Sequence, residues 1–278
     1  MRELSLCSVR NQPERANRVV SIVALLVIVG LVGTSQAADY QTGWYVADSG
    51  SEMELNAAES YGEEIWIFGN SGIILVSNDS GQTWIGENSP TSEDIRHSDS
   101  AFGALAIAGD SGMLFLKQES SSDWTEISIT EDINAISLTT NNSLVAVGNE
   151  GAMWRFGGSE WESIATGVDE DLLDVSFLDG DLGVAVGKNG TIIFSEDGGQ
   201  TWDYRDAPSE IIQNSIVSVE FFSSVRIYAV TDHGHIIKSA REGTTDVGFL
   251  WNLVEIERHY PPGSNEFVGK LTSLGVSI

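Results

Sequence analysis

Two aspartates stand inside a repeated word. Asp79 lies in SNDSGQTW (Ser77–Trp84) and Asp197 in SEDGGQTW (Ser195–Trp202), with six of the eight letters unchanged. A duplicated carboxylate could serve proton transfer in a glycoside hydrolase or coordinate calcium. Calcium takes roughly six to eight oxygens, however, and each word supplies a single carboxylate. The third possibility is geometric: a short Asp side chain accepts backbone N–H groups of a turn, and Gly81 and Gly199 permit left-handed backbone. DHGH (Asp232–His235) is the other group with metal-ligand chemistry. It falls in a turn where polar residues are expected in any case. The chain offers no glycine-rich phosphate loop, nucleophile elbow or paired metal motif.

The elements that carry these words recur. An apolar run closing on Gly, two polar residues and Gly appears as IFGNSG, IAGDSG, AVGNEG and AVGKNG, with a worn fifth copy, AVTDHG. The closing glycines stand at 72, 112, 151, 190 and 234, in steps of 40, 39, 39 and 44. Each is followed by a short strand and a tryptophan: Trp84, Trp124, Trp161, Trp202 and Trp251. Val- and Ile-rich runs broken by Gly, Asn and Asp are strands joined by hairpins. Four such strands in about 40 residues predict a β-propeller blade. The fold class is therefore all-β, with antiparallel blades at approximately 53–88, 93–129, 132–165, 172–206 and 215–257. In each, the INAISL-type run (Ile133–Leu138) is innermost and the tryptophan opens the outermost strand. QTGWYVA (Gln41–Ala47) and FVGKLTSLGVSI (Phe267–Ile278) read as strands of a partial blade built from both termini, or of a propeller of six or seven blades cut short.

Residues 1–37 read as an export signal: Arg2, Arg10, Arg15 and Arg18 form a basic head, Val19–Gly33 an apolar run, and Ser35–Ala37 a small-residue cleavage site. The run falls short of the ~20 residues that span a bilayer comfortably, so cleavage is favoured over an uncleaved anchor and a periplasmic or secreted domain over residues 38–278 is expected. Cys7, the only cysteine, leaves with the signal, which excludes a disulfide framework. The chain has 41 acids and 14 bases; two of those acids and four of those bases precede residue 38, leaving 39 against 10 and a formal charge of −29. Such a surface repels phosphate backbones and argues against nucleic acid as a partner.

The words match the Asp box, SxDxGxTW, through Ser77, Asp79, Gly81, Thr83 and Trp84 and again through Ser195, Asp197, Gly199, Thr201 and Trp202. With the longer VAVGxxGxIxxSxDGGxTW spacing at Val184–Trp202, the chain resembles the photosystem II stability/assembly factor-like family of BNR/Asp-box propellers. The resemblance implies an exported, non-enzymatic scaffold that binds protein and assists assembly or stability of a membrane or envelope complex, with no required cofactor. Arg96, Arg155, Arg205, Arg226, Arg241 and Arg258 are spread over different blades, so no binding residue is carried over from the family. The alternative is a sialidase-like BNR-repeat hydrolase, which needs an arginine cluster, a tyrosine nucleophile with a nearby Glu, and an acid/base Asp. Tyr61, Tyr204, Tyr228 and Tyr260 have no such motif around them. Topology puts the glycine turns and the blade-to-blade connections on one rim and the Asp boxes on the other. The first rim collects Asp110, Glu131, Asp132, Asp169, Glu170 and Asp171, a candidate acidic surface for a basic partner or for cations, or simply a solubilising one.

Overall fold

The structure is a computed structural model that describes residues 49–140, 142–223, 226–240 and 250–253. The export segment, both terminal strand readings, Arg241, Arg258 and Tyr260 lie outside the described residues.

Five four-stranded antiparallel sheets follow one another along the chain. The first holds β1 (Leu55–Tyr61), β2 (Glu64–Gly69), β3 (Ile74–Ser77) and β4 (Ile85–Gly86). The second holds β5 (Ile95–Ala101), β6 (Ala104–Gly109), β7 (Leu114–Gln118) and β8 (Trp124–Glu126). The third holds β9 (Ile133–Thr140), β10 (Ser143–Gly148), β11 (Met153–Phe156) and β12 (Trp161–Ser163). The fourth holds β13 (Leu172–Phe177), β14 (Gly183–Gly187), β15 (Ile192–Ser195) and β16 (Asp203–Tyr204). The fifth holds β17 (Ile216–Ser223), β18 (Arg226–Thr231), β19 (Ile236–Ala240) and β20 (Leu250–Leu253). The first strand of each sheet contacts the first strand of the next, β1 to β5, β5 to β9, β9 to β13 and β13 to β17, which makes it the innermost. Among the described residues no comparable contact returns from β17 to β1, so the blades form an open arc.

Core lies between blades rather than within them. Trp66, Phe68 and Ile74 of blade one pack on Ile95, Leu105 and Ile107 of blade two. Ala104, Ala106 and Leu114 of blade two pack on Ile136, Leu138 and Leu144 of blade three. Val145 and Met153 then meet Leu172 and Ala185, and Val184 and Phe194 meet Val219 and Phe221. The second strand of a blade is covered on both faces, which is why ALAIAG and GVAVG are continuously apolar and wholly buried. The innermost strand has one edge on the axis and can carry polar side chains there.

The glycine turns are two-residue hairpins of the primed kind. In blade one Ser71 and Gly72 both have positive φ, 56° and 69°, and Ile73 N–H donates to Asn70 O at 3.2 Å. Blades two, three and four repeat this at Ser111–Gly112, Glu150–Gly151 and Asn189–Gly190. A Cβ on Gly151 would stand 1.9 Å from Val168 O, because the connection leaving the blade crosses the turn. Blade five differs: Gly234 alone has positive φ, its N–H donates to Thr231 O, and nothing crosses it. AVTDHG is thus a hairpin of the same length whose turn is set one residue earlier, over Thr231–Gly234 where blade one uses Asn70–Ile73.

Candidate functional site

The Asp boxes join the third strand to the outermost one. Ser77 Oγ donates to Asp79 Oδ1 (2.8 Å) and accepts Gly81 N–H (2.8 Å). Asp79 Oδ1 also accepts the N–H groups of Gln82 and Thr83 (2.9 Å each), while Oδ2 accepts Thr83 Oγ1 (2.6 Å). Ser195, Asp197, Gly199, Gln200 and Thr201 repeat the pattern within about 0.1 Å. The hydroxyl and N–H of Thr83 hold the Asp79 carboxyl at about 2. Burial pushes Asp197 up, but the Thr201 and Ser195 donors outweigh it and leave it low. Both carboxylates are saturated by their own turn, the wrong state for an acid/base catalyst near neutral pH.

The tryptophan that ends each word packs toward the preceding blade. Trp202 joins the core shared by blades three and four, and within its own blade it stands edge-on to Phe177 at 5.8 Å and donates Nε1–H to Gly199 O at 3.1 Å. Trp124 meets Trp66 of blade one at 6.4 Å, and Trp161 donates to Ile127 O of blade two at 2.7 Å. Trp84 is half-buried, and its enclosed Nε1 has no partner among the described residues, where no sheet precedes blade one. In the decayed second word Lys117 does the fastening: its Nζ donates to Ser121 O and Ser122 O and sits 5.9 Å over Trp124.

The acidic rim divides into two groups. Asp110 pairs with Arg96 (3.0 Å), whose hydrogen bonds hold it below the usual carboxylate range. Asp171 pairs with Lys188, which lowers it, and its Oδ1 accepts Glu150 N–H (2.9 Å), anchoring the positive-φ residue of the previous blade's turn. Asp94 does the same for Ser71 (2.8 Å). Glu170 accepts Asn189 Nδ2 at 2.9 Å, and Glu131 accepts Thr130 N–H at 3.1 Å. Asp132 and Asp169 are exposed, and no side-chain partner engages them among the described residues. Asp94 and Asp171 therefore tie one blade to the next, Asp110 and Glu170 are held within their own blades, and Glu131, Asp132 and Asp169 have no cationic partner among the described residues.

In DHGH, His233 Nδ1 lies 2.7 Å from Asp232 Oδ1, and His235 Nδ1 turns the other way, to Thr231 Oγ1 at 3.2 Å. Among the described residues no group of three or more His, Cys, Asp or Glu is placed to hold a metal. Arg96, Arg155 and Arg205 are on three blades: Arg96 pairs with Asp94 and Asp110 and Arg205 with Tyr204 O and Asp203 in their own blades, while Arg155 donates to Gly198 O of the next blade.

Sequence reasoning missed a polar layer on the innermost strands. Glu59, Asp99, Ser137, Ser176 and Glu220 occupy one position of β1, β5, β9, β13 and β17, and His97 and Asp174 lie two residues earlier on β5 and β13. Asp99 Oδ2 accepts Leu138 N–H (2.6 Å) and Ser137 Oγ (3.0 Å), Ser137 Oγ accepts Phe177 N–H (3.0 Å), and Asp174 Oδ2 accepts Val219 N–H (2.8 Å). Polar residues at alternate positions of otherwise apolar strands were the available signal.

Fold and words together define an Asp-box β-propeller. Residues 155–274 match the family model described as "Photosynthesis system II assembly factor YCF48". A photosystem II assembly lipoprotein Ycf48 of Prochlorococcus marinus is 38% identical over 64 residues, 23% of this chain and 19% of that protein. The aligned stretch thus spans about a fifth of that relative's length. In structure the chain resembles YCF48 bound to D1 peptide, with a TM-score of 0.56 at 19% identity over 69% of this chain and 65% of the other. It also resembles an ancestral GH74 enzyme, with a TM-score of 0.53 at 13% identity over 75% of this chain and 31% of that one; at such identities the likeness concerns the fold. Over residues 155–274 the chain is thus similar to photosystem II assembly factors of the YCF48 type, and its likeness to the solved structures concerns the propeller fold.

Proposed function

We propose that this chain is an exported, non-enzymatic propeller that binds a protein segment and assists assembly or stability of a membrane or envelope complex. The observation that carries this reading is the family match over residues 155–274, which runs through the better-buried Asp box. Three further facts support it. One structural relative is described with a bound D1 peptide, and the sequence relatives are named as lipoproteins, in keeping with export. Both Asp-box carboxylates are occupied by their turns.

The rim acids Glu131, Asp132 and Asp169, which have no cationic partner among the described residues, are the proposed contact for a basic partner surface. Native-gel analysis of membrane complexes in cells lacking the chain tests the role: subassemblies are expected to accumulate and to clear on re-expression. Unchanged complexes, together with hydrolysis of aryl sialosides or β-glucan oligosaccharides by the purified chain, would replace the scaffold by the hydrolase.

A further inference from the structure

The axis of the arc holds five titratable side chains that neither Asp boxes nor rim require. Glu59 on β1 accepts Ser98 Oγ and Ser100 Oγ of β5, at 3.0 Å each. Asp99 on β5 fastens to β9, and Asp174 on β13 fastens to β17, through the bonds given above. His97 on β5 reaches past blade three, its Nε2 lying 3.5 Å from Asp174 Oδ1. Glu220 on β17 accepts Ser176 Oγ at 3.5 Å. Each group is thus a link between blades.

The charges facing one another here are unbalanced. Glu59 faces Asp99 and His97; His97 faces Asp174, Asp99 and Glu59; Glu220 faces Asp99, Asp174 and Glu59. Arginine and lysine ion pairs among the described residues all lie elsewhere, at Arg96, Lys188 and Arg205. Four carboxylates therefore share one imidazole. If all were ionised, like charges on blades one, two, four and five would repel across the axis in a poorly solvated space.

We propose that this group is a proton-operated fastener, in which protonation draws the innermost strands together and loss of those protons in the neutral range loosens the arc. Desolvation, then the neighbouring Asp99, raises Glu59 to about 7. Desolvation and the charges of Asp99, Asp174 and Glu59 raise Glu220 well above the ordinary value. Desolvation alone would lower His97, but the hydrogen bond and charge of Asp174, then Asp99 and Glu59, raise it. The signs agree. A Glu raised from 4.5 to about 7 gives stability that is complete below 4.5 and lost as pH climbs to 7; a raised His loses its share as pH climbs beyond 6.5. The device stands independently of the assembly role.

The test is urea unfolding of the full chain, followed by tryptophan fluorescence at pH 5, 6, 7 and 8. The unfolding constant is expected to rise by about tenfold per pH unit for each proton released. The double variant Glu59→Gln with Glu220→Gln is expected to lose at least half of that slope. A wild-type slope of zero or of opposite sign, or an unchanged slope in the variant, overturns the proposal. If the variant does not fold, carbon-13 histidine labelling of the wild-type chain decides, with His97→Gln assigning the resonance. A His97 midpoint above 6.5 supports the fastener, and one at or below it refutes it.

Discussion

Replacing Trp202 and Trp84 by alanine separates what the repeated word does from where it sits. A tryptophan buries about 200 Å², worth ~5 kcal/mol at ~25 cal/mol per Å² against an extended chain and nearer ~3–4 against a realistic one. Trp202 is 9% exposed, has the edge-on contact with Phe177, and donates to Gly199 O. The ring contact adds ~0.5–1.5 kcal/mol and the hydrogen bond about 1. Relaxation around the site returns part of the total, so Trp202→Ala is expected to cost about 3–5 kcal/mol. Trp84 has neither the ring contact nor the hydrogen bond among the described residues and is only half-buried. Trp84→Ala should therefore cost at least ~1.5 kcal/mol less, the worth of those two interactions. Urea midpoints of the two variants at equal m-value measure the gap. Equal costs, or a greater loss at Trp84, would refute the idea that burial and these two contacts within its own blade set what the tryptophan contributes.

Other outcomes follow from the same geometry. Gly151→Ala combines a φ of 69° with a Cβ 1.9 Å from Val168 O, so it should destabilise well beyond the ~1–2 kcal/mol cost of left-handed backbone; Gly234→Ala, at φ 79° with nothing near, should pay that conformational cost alone, as thermal midpoints will show. Asp79, lowered from 3.8 to about 2, stabilises the fold above 3.8 and ceases to as pH falls through 2; Asp79→Asn should make acid unfolding monitored by circular dichroism less steep over that window. Neutralising Glu131, Asp132 and Asp169 together should weaken binding of a basic partner and flatten its salt dependence in titration calorimetry, leaving the unfolding midpoint unchanged, whereas Asp171→Asn should lower the midpoint, because Asp171 anchors Glu150 and Lys188.

The blades were legible because a radial stack imposes repetition on sequence. Each second strand is enclosed on both faces and must read as an apolar run, each primed turn demands a Gly, and each outer strand needs a wedge. ALAIAG, Gly112 and Trp124 therefore announce a blade even where its Asp box has decayed into KQESSSDW. The rim was legible only as composition. That Asp171 anchors a turn while Asp169 stands free depends on which side of the connection each faces, and adjacent letters do not tell them apart. The axial layer was hidden for a different reason. Glu59, Asp99, Asp174 and Glu220 follow one another at separations of 40, 75 and 46 residues, and only curvature of the arc brings them together. Local order in this chain thus comes from words that satisfy themselves: Asp79 and Asp197 are spent within five residues of their own position. The carboxylates the words do not use, on the axis and among the rim acids without a cationic partner, occur where the words are silent, and variation in function among chains of this architecture should concentrate at those positions.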